Sequence, residues 1–205
     1  MKTASGAKGE SKTTGRRAPS RRIAQEIGLY DSDELADVVG RMAREALELL
    51  LGSSNVLVVG ILRRGAPLAE MLSKQLAPML RLKKVPRLDL SIKRYADDLT
   101  LLHPETRLIE EPLSATQDPS GKSVLLVDDL LYRGYSLQCA VNFLVRKGAA
   151  QVRTAVLVDR CATLLPMRAD VVGIKLAVAP SDIVECQVPP YEPAFQVRLV
   201  RRNLG

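Results

Sequence analysis

One stretch limits what this chain can fold into more than any other: VLLVDDLLYRGYS, from Val124 to Ser136. It opens on a short aliphatic run without polar alternation, the pattern of a strand buried on both faces. Two carboxylates, Asp128 and Asp129, close that strand, a tight loop turns around Gly134, and a helix is predicted from about Tyr135 to Lys147, with Gly148 as its C-cap. A strand that ends in a glycine loop and feeds a helix is the building unit of sheets whose strands run parallel and carry helices.

The rest of the chain repeats that alternation. From Asp31 to Leu51, Leu35, Val38, Val39, Met42, Ala46, Leu49 and Leu50 recur at helical spacing, with Asp31 or Ser32 as N-cap and Gly52 as the stop. The run NVLVVG, Asn55 to Gly60, predicts a second buried strand. A helix is expected from Pro67 through Leu80, fraying at Pro78. Residues 87 to 95, RLDLSIKRY, alternate Leu88, Leu90 and Ile92 against Asp89, Ser91 and Lys93, which predicts a half-buried strand near an edge. Between Asp98 and Ser123, Pro104, Pro112 and Pro119 break a stretch longer than ordinary connections, the mark of a flexible lid. Further strands are expected at 152–158, 171–174, 183–188 and 195–200. The expected fold class is α/β, a doubly wound and mainly parallel sheet.

Composition narrows the function. The 205 residues suit one domain of ordinary size, and 46% apolar with 26% charged residues rules out a wholly disordered or fibrous chain. The formal charge of +7 sits almost entirely in residues 1–22, where seven Lys and Arg face only Glu10. The remaining 23 basic and 22 acidic residues nearly cancel. Residues 1–21 therefore read as a disordered basic tail that can serve as an arm for RNA or another polyanion, and 22–205 as the folded domain. No run reaches the roughly 18 apolar residues of a membrane helix, and no apolar segment follows the basic N-terminus, so a cytoplasmic protein without membrane contact is expected. Cys139, Cys161 and Cys186 have no C-x-x-C spacing and read as reduced thiols, and the lone His103 excludes sites that need two imidazoles.

The chemistry concentrates in two loops. Past the acidic pair, a helix N-terminus with Gly134, Ser136 and Arg133 offers N–H groups, a hydroxyl and a cation to a phosphate. Asp128 and Asp129 suit the hydroxyls of a sugar or the neighbourhood of Mg²⁺. The first buried strand ends in LRRG, Leu62 to Gly65. Taken alone its two arginines read as solvated charges, but beside a diacid and a second anion loop they suit a di- or triphosphate. A P-loop is excluded, because Thr116 stands where its first glycine belongs and Gly121-Lys122-Ser123 precedes a strand. A phospho-acceptor receiver domain is excluded because only 77 residues follow Asp128, and no G-x-G-x-x-G supports a dinucleotide site.

VLLVDDLLYRGYS resembles the phosphoribosyl-pyrophosphate (PRPP) motif of type I phosphoribosyltransferases. RIAQEIGLYDSDELADVVGRMAREAL, GILRRG, RYADDL, AVLVDR and LPMRADVVG resemble successive blocks of the PyrR family, pyrimidine-operon attenuation proteins that are also uracil phosphoribosyltransferases, over residues 22 to 190. The resemblance implies a type I phosphoribosyltransferase fold with a small hood near Asp159 to Asp170 and a lid. It implies conversion of uracil and PRPP to UMP and pyrophosphate with Mg²⁺ held through PRPP, UMP-responsive binding to pyrimidine-gene mRNA, and a homodimer or higher assembly. By the same resemblance Arg63, Arg64 and Gly65 match the pyrophosphate loop, Asp128 and Asp129 the ribose-binding pair, and Leu130, Leu131, Tyr132, Arg133, Gly134, Tyr135 and Ser136 the 5′-phosphate loop, while Arg160 and Val184 match the nucleobase side.

The chain departs from the family pattern in four places. Arg133 replaces the loop threonine, and Tyr95-Ala96-Asp97-Asp98 lacks an arginine that Arg94, on the same strand face as Ala96, can supply. Cys161 to Leu164 and Lys175 to Ala179 replace two polar stretches of the base-binding side. These departures leave a second reading open, a catalytically weak sensor of PRPP or nucleotide that binds RNA.

Overall fold

The most apolar runs of the sequence occupy the middle of one sheet. In the computed structural model, which describes residues 23–53, 55–92, 108–110 and 117–202, β2 (Val56–Ile61), β5 (Ser123–Leu131) and β6 (Gln151–Asp159) lie side by side and parallel. β3 (Arg87–Ile92) and β7 (Val171–Lys175) extend the parallel set on either side, and the three-residue β4 (Leu108–Glu110) pairs antiparallel with β3. The order is β4-β3-β2-β5-β6-β7. Alternate side chains of each central strand enter different cores. Val58, Leu125 and Val127 pack with α1 (Ser32–Leu50) and α2 (Gly65–Met79), whereas Val59, Val124 and Leu126 pack with α3 (Tyr135–Arg146). The sheet is thus doubly wound.

Local chemistry sets the helix starts. Asp31 caps α1 by accepting from the Asp33 and Glu34 N–H groups, while Glu34 accepts from the Asp31 N–H, a reciprocal capping box. α2 begins at Gly65, two residues before the expected Pro67, because the chain turns directly out of β2. A Cβ on Gly60 would stand 2.6 Å from the Ala66 Cα, so only glycine lets the helix leave the strand this closely.

A second, antiparallel sheet joins the two ends of the described chain in the order β1 (Ile23–Tyr30), β9 (Gln196–Arg202), β8 (Ile183–Gln187). Its Val184, Cys186, Val197 and Leu199 are buried against the α1–α2 side. This sheet forms the hood. The segment Asp159 to Asp170, where the hood was expected, is mostly an irregular connection after β6. β1 and β4 have no sequence expectation above. β1 carries a weak apolar alternation and exists by pairing with β9, a partner at the far end of the chain. β5 runs four residues past the expected Val127, so Asp128 to Leu131 are strand residues, with Asp128, Leu130 and Leu131 in register with β6. The tail of residues 1–21, Arg94, His103 and most of the expected lid lie outside the described residues. No helix among the described residues is long and apolar enough to cross a membrane.

Candidate active site

The chain leaves β2 toward β3 on one side and leaves β5 toward β6 on the other, so the strand order reverses between β2 and β5. Open parallel sheets bind ligands beyond the carboxyl ends of their strands at that reversal. Both chemistry-bearing loops emerge there. Leu62 to Gly65 follows β2, and a Cβ on Gly65 would stand 2.6 Å from the Val127 carbonyl oxygen and 3.4 Å from Asp128 Oδ1. The missing side chain seats this loop directly against the acidic pair.

Asp128 and Asp129 are 2% and 6% exposed, and Asp128 Oδ1 accepts from the Asp129 N–H at 3.0 Å. After β5 the chain crosses Tyr132 and Arg133 and turns at Gly134, whose φ of 90° lies in the left-handed region. Leu165 and Met167 pack over it. No side chain caps the first turn of α3, so its N–H groups face the loop. A pocket of about 180 Å³ opens here, lined by Asp128, every residue from Leu130 to Leu137, and Val156. The positive end of α3, the Arg133 side chain and the Ser136 hydroxyl give this pocket the chemistry that suits an anion.

The hood meets this site through side chains. Cys186 of β8 donates its thiol to the Asp129 carbonyl at 3.6 Å, and burial, with the Asp129 carboxylate next, pushes that thiol well above its ordinary pKa. Arg64 pairs with Glu192, which also accepts from the Val188 N–H. The hydrogen bond to Glu192 raises the Arg64 pKa, opposed by burial and aided by the Asp129 carboxylate, while the bond from Arg64 holds the Glu192 carboxyl below its usual value. The Arg63 guanidinium stands 5.7 Å from the centre of the Tyr191 ring.

Of the residues expected from sequence, Asp128 and Leu130 to Ser136 line one pocket; Asp129, Arg63, Arg64 and Gly65 do not line it, although Gly65 is seated against Asp128, the Asp129 carboxylate acts on Arg64, and Arg63 faces Tyr191. Arg160 and Val184 do not line it. Arg160 is 6% exposed; its Nη2 donates to the carbonyls of Ala179, Pro180 and Asp182, and its guanidinium lies 4.4 Å from the Tyr132 ring centre. It braces the connection between β7 and β8 against the phosphate loop. The Val184 side chain belongs to the core. Sequence reading missed Tyr191 and Glu192, which lie in a proline-rich connection more than 120 residues from the loop they meet, and only the fold brings them there.

Two glycine loops meet a buried acidic pair at the reversal of a doubly wound sheet, and residues 28–194 match the model of the phosphoribosyl transferase domain family. Among solved structures, a hypoxanthine phosphoribosyltransferase of Trypanosoma cruzi is similar with a TM-score of 0.67 at 19% identity, over 87% of this chain and 96% of that one. That of Staphylococcus aureus gives 0.63 at 16% identity over 78% and 81%. Both share the fold. In sequence, the bifunctional protein PyrR of Actinobacillus pleuropneumoniae is 32% identical over 84% of this chain and 96% of its own length. That of Deinococcus radiodurans is 35% identical over 80% and 89%. The chain belongs to the PyrR family of phosphoribosyltransferases.

Proposed function

We propose that the chain converts uracil and PRPP to UMP and pyrophosphate. The carrying observation is the seat of Gly65 against Val127 and Asp128, which sets two anion-binding loops on either side of one acidic pair. In this reading the 5′-phosphate takes the N–H groups from Arg133 to Ser136, the ribose hydroxyls take Asp128 and Asp129, and pyrophosphate lies beside Arg63. As pyrophosphate departs, the ribose ring gains positive charge, which two buried carboxylates stabilise far better than water does. The hood excludes water and seats the base, with Arg160 holding the 179–182 carbonyls in place.

The acidic pair also fits Mg²⁺. Among the described residues no three acidic, His or Cys side chains form a metal cage, and Mg²⁺ ordinarily binds through one or two carboxylates plus substrate phosphates. When bound it neutralises pyrophosphate as a leaving group, with Asp128 and Asp129 at hand to hold it. The same reading places the protein in the cytoplasm as a homodimer or larger assembly. It makes 22–205 the catalytic domain and residues 1–21 an arm for pyrimidine-gene mRNA. Removal of that arm should lower RNA affinity and flatten its salt dependence; an unchanged salt slope contradicts the arm.

Incubation of the protein with Mg²⁺, PRPP and, separately, uracil, guanine, hypoxanthine, adenine or orotate tests the reaction. UMP from uracil alone is the expected result. No nucleotide from any base, with PRPP still raising the melting temperature, favours the sensor reading. Arg133 motivates that second reading, since it lines the pocket proposed for the 5′-phosphate and its guanidinium carbon lies 5.3 Å from the Tyr132 ring centre. Arg133→Thr separates the two. A large gain in turnover with the fold unchanged marks a weakened enzyme, and loss of PRPP affinity makes Arg133 a phosphate ligand.

A further inference from the structure

Arg63 and Arg64 are neighbours in one loop with the same charge, yet the fold treats them differently. Arg64 donates from Nε and Nη2 to Glu192 Oε1, at 2.9 and 2.5 Å, and Glu192 Oε2 accepts from the Val188 N–H at 2.9 Å. Both carboxylate oxygens are engaged, and the Glu192 side chain is only 17% exposed. Arg63 is exposed, and among the described residues its guanidinium makes no ion pair: it faces the Tyr191 ring and acts on the Glu192 carboxylate only at longer range. A guanidinium over a ring face keeps its N–H edge available to oxygen acceptors.

We propose that Glu192 is an internal counter-ion that sets pyrophosphate affinity: it occupies Arg64 where a phosphate oxygen could, leaving Arg63 as the pyrophosphate contact. The inference rests on reading Leu62 to Gly65 as the pyrophosphate loop. The loop backbone is pinned at Gly65, so the partner of Arg64 is chosen by its side chain alone. A carboxylate beside a polyanion site weakens binding twice, by repelling the ligand and by withholding a guanidinium. An enzyme that must release pyrophosphate gains no turnover from holding substrate and product with every available cation.

Calorimetric titration of the full chain with pyrophosphate in Mg²⁺ reads this directly. Glu192→Gln keeps the side-chain shape and removes the charge, and pyrophosphate should then bind about three- to tenfold more tightly. Arg63→Ala should weaken binding about tenfold or more. In an Arg64→Ala background, Glu192→Gln should still tighten binding, but by a smaller factor than in the native chain, because the guanidinium it would release is gone and only the repulsion is relieved; an equal factor in both backgrounds overturns the withholding of Arg64. Melting temperatures identify any variant that has lost its fold, and Glu192→Ala carries the same expectation if the glutamine variant does not fold. A folded Glu192→Gln that binds pyrophosphate equally or more weakly, while the unaltered protein binds both PRPP and pyrophosphate, overturns the counter-ion and leaves the site intact. An unaltered protein that binds neither overturns both.

Discussion

In the six-stranded sheet, β2 is buried along its whole length and β5 over six consecutive residues, Val124 to Asp129. In the three-stranded hood burial alternates: Val184 and Cys186 point inward, while Ile183, Glu185 and Gln187 are half-exposed. The first sheet is assembled by crossovers between nearby segments and covered by helices on both faces. The second is closed by β1, from one end of the described chain, and β8 and β9, from the other. It reaches the site through side chains, Arg64 with Glu192 and Cys186 with the Asp129 carbonyl. The difference divides the proposed work: the acidic pair and the proposed phosphate loop lie at the end of the sheet covered on both faces, and the proposed seat of the base borders the half-exposed hood.

The largest effect should come from the rigid side. Asp129→Asn should lower turnover at least about a hundredfold in a UMP-formation assay, with circular dichroism unchanged. A loss below threefold would move the ribose contact elsewhere. Next, Arg160→Ala should act mainly through the hood and raise the KM for the base about tenfold, with the KM for PRPP rising less, within about threefold, because it removes the Arg160 side-chain hydrogen bonds to the 179–182 carbonyls but only a ring contact with Tyr132. Equal rises in both constants would erase the division between the two sheets.

Stability should divide the same way. Gly65→Ala must push a Cβ into the Val127 carbonyl and should cost about 1–3 kcal/mol by thermal denaturation. Gly28→Ala on the hood strand β1 meets nothing within 4 Å and should change stability by less than about 0.5 kcal/mol. Comparable losses would mean that the hood is as tightly constrained as the site. The smallest effect concerns acid. Arg64 holds the Glu192 carboxyl below its ordinary value. Its contribution to folding is therefore complete above that ordinary value and fades as pH falls through the lowered one. Acid-unfolding curves of the native chain and of Glu192→Gln should differ above the usual glutamate range and converge below it.

The same contrast explains what the sequence reveals. NVLVVG and SVLLV read as strands because burial on both faces leaves an unbroken apolar run, and the glycine loops after them are local signals. The acidic pair, Arg63, Arg64 and the loop from Leu130 to Ser136 were legible for that reason. β1 was not, since its pairing to β9 is non-local and its alternation is weak. Glu192 was not, since an acid in a Pro-Pro-Tyr-Glu-Pro turn carries no local mark of the arginine it meets. Arg160 was expected on the nucleobase side, but the three carbonyls it donates to were not legible. Its sequence context does not tell whether a guanidinium faces a ligand or three backbone carbonyls.

In the proposed reaction one seam, between the ends of β2 and β5, holds the 5′-phosphate and the pyrophosphate of PRPP on either side of the acidic pair. A crystal structure of the protein with PRPP and Mg²⁺ tests it most directly. The 5′-phosphate is expected on the N–H groups from Arg133 to Ser136, the ribose hydroxyls on Asp128 and Asp129, and pyrophosphate beside Arg63 with Arg64 still on Glu192. PRPP bound away from this seam, or with its two phosphate ends exchanged, would contradict it.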